Sequence, residues 1–183
     1  MTRRDLPNLI TFARILLTIP FLFSLLEGKE GVALLVFLVA GISDGLDGFL
    51  AKRYGWTSRL GSILDPLADK ALLVSAFVVL TYLGRIPYWL TVLVFGRDIL
   101  IIAGATTYHF LIGHYQLLPA KSSKINTLFQ IVLVLVIMGK DWIGEWNTQP
   151  LIYLTAITTV FSGMQYVFSW GYKAIKNHRK SLG

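Results

Sequence analysis

Apolar residues dominate six stretches of the chain, about residues 9–26, 32–50, 60–83, 88–112, 125–138 and 151–172, and polar residues gather between them. A helix needs roughly 20 mostly apolar residues to cross a bilayer. Most of these stretches approach that length; 125–138 is short and is expected to start near Ser122. Almost nothing is left over, and no repeat, low-complexity run or linker interrupts the pattern. The pattern predicts an all-α membrane protein: a single domain over 1–183, built as a six-transmembrane-helix bundle with short loops. Composition agrees, since 55% hydrophobic and 15% charged residues are too apolar for a soluble domain and too evenly spread for one with a lone anchor. Arg3 and Arg4 precede the first run as they would in a signal peptide. Arg14 and Pro20 interrupt that run, however, and no small-x-small cleavage site comes before Glu27, so a retained helix is expected. With no cysteine, disulfides and thiolate metal sites are excluded.

The formal net charge is +7, and its distribution says more than its sum. With both ends of the chain on one side, that side carries Arg3, Arg4, Lys52, Arg53, Arg59, Lys121, Lys124, Lys173, Lys176, Arg179 and Lys180. The opposite loops hold Lys29, Arg85 and Lys140. The positive-inside rule then predicts that both termini are cytoplasmic. The basic tail is read as topology plus attraction to anionic lipid. It is not read as a nucleic-acid footprint, because the charges flank helix ends instead of forming one patch.

One polar stretch does not fit a plain bundle. Residues 43–70, SDGLDGFLAKRYGWTSRLGSILDPLADK, hold Asp44, Asp47, Asp65 and Asp69. The first two fall near the cytoplasmic end of the second predicted helix and the last two near the start of the third. Spacings of three and four put each pair on one helical face, and the short loop makes the two helices antiparallel neighbours. A carboxylate at a helix centre costs about 2.5–3.5 kcal/mol on insertion scales; nearer the interface it costs less, but crowding four adds repulsion. Lys52, Arg53, Arg59 and Lys70 are at hand, yet helix-end cations usually extend to the headgroups. An all-oxygen cluster suits hard cations, and two Mg²⁺ or Mn²⁺ would balance four carboxylates. Such a metal pair suits phosphoryl displacement.

Small residues accompany the acids. Gly48 lies four residues after Asp44, Gly61 four before Asp65, and Ala51 one turn past Asp47, leaving room for a bulky ligand against the backbone. Close helix packing is the alternative for Gly48 and Gly61, and the preferred reading for Gly41 and Gly45. Gly41-Ile-Ser-Asp-Gly45 fits the nucleophile-elbow pattern, but it lies inside a predicted membrane helix and not at a strand–turn–helix junction. Serine hydrolase is therefore rejected. His109, His114 and His178 lack metal-ligand spacing.

The run Asp44-x-x-Asp47-Gly48-x-x-Ala51-Lys52, eight residues, then Gly61-x-x-x-Asp65-x-x-x-Asp69, resembles the signature of the CDP-alcohol phosphatidyltransferases. Lys52 departs from it, standing where the family usually has arginine; it keeps the charge and loses the planar fork. The resemblance implies attack of a hydroxyl on the lipid-side phosphorus of CDP-diacylglycerol, with release of CMP at the cytoplasmic interface. It implies that Asp44, Asp47 and Asp65 hold one divalent cation, and Asp44, Asp65 and Asp69 the second. Asp69 would also be the general base. Gly48, Ala51, Lys52 and Gly61 would contact the cytidine nucleotide, and the enzyme would be a homodimer.

For the acceptor, LPNLITFARILL near the N-terminus is similar to two branches of the family. One uses glycerol 3-phosphate and makes phosphatidylglycerophosphate; the other uses phosphatidylglycerol and makes cardiolipin. Gly96-Arg97-Asp98-Ile99, Ser123-Lys124-Ile125-Asn126-Thr127 and Gln130 resemble the second branch more. Arg97 and Lys124 are the candidate ligands of an acceptor phosphate. The alternative for Arg97 is an ion pair with Asp98 or another helix, and for Lys124 a plain topology charge. Asn8 and Arg14 are candidates for the nucleotide cleft, although Asn8 can equally cap the first helix. The competing class is a cation transporter, since intramembrane acids also mark ion paths. A transporter would more often show paired broken helices in two repeats, and here the acids gather in helices two and three alone.

Overall fold

A computed structural model of the protein describes the backbone of residues 6–54, 61–112, 121–144 and 147–181. Within these it describes the side chains of residues 13, 15–43, 70–104, 106, 122–140, 142, 144 and 147–169. The described backbone is helix and connecting turn: α1 (Leu6–Leu26), α2 (Glu30–Tyr54), α3 (Gly61–Tyr82), α4 (Tyr88–Ile112), α5 (Lys121–Met138), α6 (Lys140–Ile143) and α7 (Gln149–Ser181). The six long helices match the six apolar stretches one for one. The extra element, α6, is a single turn too short to show in the periodicity.

Helix ends overrun the apolar stretches in the polar direction. α2 starts at Glu30, α5 at Lys121, and α7 continues to Ser181. Polar residues are adequate helix formers, and Glu30 in the first turn of α2 complements the helix dipole. Two helices stop at glycine for a stated reason. Gly28 and Gly84 adopt φ of 74° and 70°, the left-handed conformation that closes a helix end. The N–H of Lys29 then donates to the carbonyl of Ser24 at 2.9 Å, and that of Arg85 to Leu80 at 2.8 Å. At the other end of the chain Pro150 occupies the first turn of α7, where its missing N–H is no loss.

The chain divides into two compact units, Met1–Arg85 with Val134–Trp146, and Ile86–Leu133 with Asn147–Gly183. In the first, α1 packs along both α2 and α3, which touch each other only briefly among the described residues. Phe21 and Leu25 of α1 are buried with Ala33, Phe37 and Ala40 of α2 and Ala76, Phe77 and Leu80 of α3. The rings of Phe21 and Phe37 stand 5.7 Å apart. Among the described residues the acid-bearing helices, expected as immediate neighbours, thus meet chiefly through α1. Their far ends are tied by an ion pair, Arg85 Nη2 donating to Glu30 Oε1 at 2.9 Å.

The second unit has a different interior. Ile86, Leu90, Val94, Leu133 and Ile152 are buried, but so are Arg97, Ser122, Asn126, Gln130, Thr155, Thr159 and Ser162. On α7 the pattern of a soluble helix is reversed: Thr155, Thr159 and Ser162 are fully buried, while Ile157, Phe161, Met164 and Phe168 are each more than half exposed. Water would oppose that arrangement and hydrocarbon would not. By length and composition one segment among the described residues, Gln149–Ser169, is long and apolar enough to cross a membrane; shorter apolar segments lie at Ile15–Leu26, Glu30–Ser43, Lys70–Tyr82 and Ser122–Met138.

Candidate active site

Asp44, Asp47, Gly48, Ala51 and Lys52 all lie on α2, and Gly61, Asp65 and Asp69 all lie on α3. The backbone is helical through each group, so the three- and four-residue spacings do place each acid pair on one face. The side chains of these eight residues, together with those of Asn8 and Arg14 and the loop 55–60, lie outside the described residues. Helical rise nevertheless sets their level. From Glu30, Asp44 and Asp47 are fourteen and seventeen residues along α2, about 21 and 26 Å at 1.5 Å per residue. Back from Tyr82, Asp69 and Asp65 are thirteen and seventeen residues along α3, about 20 and 26 Å on the same rise. Glu30 is paired with Arg85, three residues past Tyr82, so both counts begin near one level. On straight helices the two acid pairs would fall at similar distances from that ion pair. Carboxylates are the donor type that hard divalent cations take.

The second unit holds a polar centre around Arg97. Its side chain, 7% exposed, leaves the middle of α4 and reaches three helices' worth of partners. Nη1 donates to Asp98 Oδ1 at 2.7 Å, and Nη2 donates both to Ser123 Oγ on α5 at 2.7 Å and to Ser162 Oγ on α7 at 2.6 Å. The guanidinium carbon lies 5.9 Å from the centre of the Tyr166 ring, within cation–π range. The ion pair with Asp98, one of the two sequence-level readings of Arg97, is therefore present. Nε is buried without a hydrogen-bond partner. Lys124, the other candidate phosphate ligand, is exposed on α5.

A polar seam continues from this centre along α5 and α7. Ser123 and Ser162 share Arg97; three residues on along α5, Asn126 meets Thr159, three residues back along α7, so the helices run antiparallel there. The hydroxyls of Thr158 and Thr159 lie 3.1 and 2.8 Å from Asn126 Oδ1, and 3.0 and 2.7 Å from the carbonyl of Thr155. Each hydroxyl has one proton. Donating it to the carbonyl leaves the hydroxyl oxygens to accept, which suits an Asn126 amide turned with its NH₂ towards α7. That orientation also satisfies the otherwise unpartnered Nδ2. Sequence reading singled out Asn126 and Gln130 only by family likeness and passed over Thr155, Thr159 and Ser162. Their spacing of four and three in an otherwise apolar run was the available signal.

Paired aspartates on helices are the kind of donor set with which phosphate-transfer enzymes hold divalent cations. The comparison with known families is specific. The family model described as CDP-alcohol phosphatidyltransferase matches residues 4–162, and the chain belongs to that family. It is 34% identical to the CMP-forming cardiolipin synthase of Rattus norvegicus over 93% of this chain and 63% of that protein. To the CMP-forming cardiolipin synthase of Homo sapiens it is 33% identical, over 93% of this chain and 63% of the other. It is also 30% identical to a CDP-diacylglycerol–glycerol-3-phosphate 3-phosphatidyltransferase of Haemophilus influenzae, over 89% of this chain and 91% of that one. The chain thus spans less than two thirds of the length of the mammalian relatives.

Proposed function

We propose that the protein transfers a phosphatidyl group from CDP-diacylglycerol to a glycerol-type alcohol and releases CMP. The observation that carries this reading is the family match over residues 4–162, which spans the α2 and α3 segments bearing Asp44, Asp47, Asp65 and Asp69. Asp44, Asp47, Asp65 and Asp69 would hold two divalent cations, Mg²⁺ or Mn²⁺, which supply charge neutralisation at the transferred phosphoryl group. Asp69 would accept the proton of the attacking hydroxyl. Gly48, Ala51 and Gly61 would let the cytidine nucleotide lie against the helix backbone, and Lys52 would meet its phosphates. Arg97 would receive the phosphate of the acceptor, with the exposed Lys124 steering it in. The preferred acceptor is phosphatidylglycerol, giving cardiolipin. Glycerol 3-phosphate is the second reading, favoured by the near-full span of the Haemophilus relative, 91% against 63% of the rat protein.

The protein would be integral to the membrane as one domain of six spans, the homodimer of the family, with its active site at the cytoplasmic face. The reversed polarity of α7 supports the membrane setting. So do the exposed aromatics Tyr82, Tyr88, Trp89, Trp142 and Tyr153, which sit at helix ends in the manner of interfacial belts. The test is release of CMP from CDP-diacylglycerol by detergent-solubilised protein, with phosphatidylglycerol or glycerol 3-phosphate supplied separately. CMP formation that depends on Mg²⁺ or Mn²⁺ and stops with a chelator is expected, and the lipid product identifies the acceptor. No cation-dependent CMP with either alcohol would overturn the proposal.

A further inference from the structure

The hydrogen-bonding commitments of Arg97 leave an uneven remainder. Nη2 gives one hydrogen to Ser123 Oγ and one to Ser162 Oγ, so it has none to spare. Nη1 is engaged by Asp98 Oδ1, which also balances the charge. Nε is buried and unpartnered. The two serines accept from Nη2 through oxygen lone pairs, so each keeps its own hydroxyl proton, and neither donates it to a described residue. Nε–H, the second hydrogen of Nη1 and two serine O–H groups therefore remain around one cation. They come from α4, α5 and α7, and Ser162 is fully buried. Leaving such donors unsatisfied away from water is costly. An anion with several acceptor oxygens would satisfy them together.

We infer that Ser123 and Ser162 are direct ligands of the acceptor's phosphate, donating their hydroxyl protons to its oxygens beside the Nε–H of Arg97. This rests on the proposal that Arg97 receives that phosphate, and it makes the serines, with the exposed Lys124 as an outer charge, the specificity-determining contacts. A phosphate monoester such as glycerol 3-phosphate and the phosphodiester of phosphatidylglycerol both present the oxygens required. An alcohol without phosphate leaves these donors unpaired. Discrimination against such alcohols follows from the same set.

The experiment titrates glycerol 3-phosphate and, separately, phosphatidylglycerol at saturating CDP-diacylglycerol for Ser123→Ala, Ser162→Ala, Ser123→Thr and Arg97→Gln. Melting temperatures are recorded with and without glycerol 3-phosphate. Each alanine variant is expected to raise the acceptor KM about tenfold, the scale of one hydrogen bond to a charged group. Its kcat and its KM for CDP-diacylglycerol should stay within about twofold, on the same reasoning. Ser123→Thr, which retains the hydroxyl, should behave like the parent, and the alanine variants should lose the melting shift induced by glycerol 3-phosphate. If Arg97→Gln raises the acceptor KM but both alanine variants leave it unchanged, or lower only kcat, the serines merely prop the guanidinium and the inference is overturned while the reading of Arg97 stands. If Arg97→Gln itself leaves the acceptor KM unchanged, the reading of Arg97 fails and the inference goes with it.

Discussion

Asp69 is asked to do two things that usually pull apart. A carboxylate that binds a cation is held ionised, and a general base must take up a proton. The two demands meet if the acceptor hydroxyl loses its proton as the phosphorus is attacked, with the carboxylate within hydrogen-bond reach of it. Asp69→Asn separates the roles, because the amide keeps the size and one acceptor oxygen but takes no proton. Turnover is expected to fall by about 10²–10⁴, the usual contribution of a positioned base. CDP-diacylglycerol binding, measured by equilibrium titration, should change only a few-fold. Turnover within about tenfold of the parent would reassign the base. Lys52→Arg is the opposite case: it restores the usual residue of the family, and near-parental CMP release is expected.

What was legible at this scale follows chemical type. Aspartate in an apolar run is conspicuous because nothing else explains its cost, and Asp98 beside Arg97 announced an ion pair. The serines and threonines were not conspicuous, because small hydroxyl residues are tolerated in membrane helices by bonding back to their own backbone. Thr81, Thr106 and Thr127 each bond back in this way. Ser162 looks identical to them in sequence and is separated from them by its contact with Arg97 on α4.

Among elements, α7 shows most plainly how the bundle is organised. Its buried face carries Thr155, Thr159 and Ser162 between Ile152 and Tyr166, and its exposed face carries large apolar side chains, so burial of apolar area explains only part of its attachment to α4 and α5. Hydrogen bonds and close packing remain. The Asn126–Thr159 contact, at 2.8 Å with both residues fully buried, is where that can be measured. Thr159→Val keeps the shape and removes the hydroxyl, stranding one end of the Asn126 amide. A loss of about 1 kcal/mol is expected, read as a lower melting temperature in detergent. Pairing it with Asn126→Leu should recover part of that loss, since removing both partners is close to neutral. Strictly additive losses would show that the two residues do not interact.

Six helices and their order were readable because each apolar run is long and bounded by turn residues such as Gly28, Gly84 and Pro87. The interposition of α1 against both α2 and α3 was not, since Ala33, Ala40 and Ala76 mark a close approach without naming the partner. The overrun of α7 to Ser181 was hidden for the opposite reason. Its last turns are basic and polar, and nothing apolar marks them as helix.

For the whole molecule, orientation is the property on which the chemistry depends most. In the proposed reaction CMP would leave into water, so the aspartates would serve only the side on which nucleotide is handled. Helix α7, at 33 residues, is about 50 Å long, well beyond a hydrocarbon core of about 30 Å. Its first turns carry Tyr153, and its last carry Lys173, Lys176, Arg179 and Lys180. In the proposed membrane setting, anchoring the aromatic end at one interface would carry the basic end clear of the other, and the positive-inside rule would put that end in the cytoplasm. The absence of cysteine from the sequence makes this testable without background. Single Lys140→Cys and Lys180→Cys variants, treated in intact cells with a membrane-impermeant thiol reagent, should label at position 140 only. Permeabilisation should then add position 180. Labelling of position 180 in intact cells would place the acids on the outer face, away from the nucleotide, and the proposed reaction would lose its substrate.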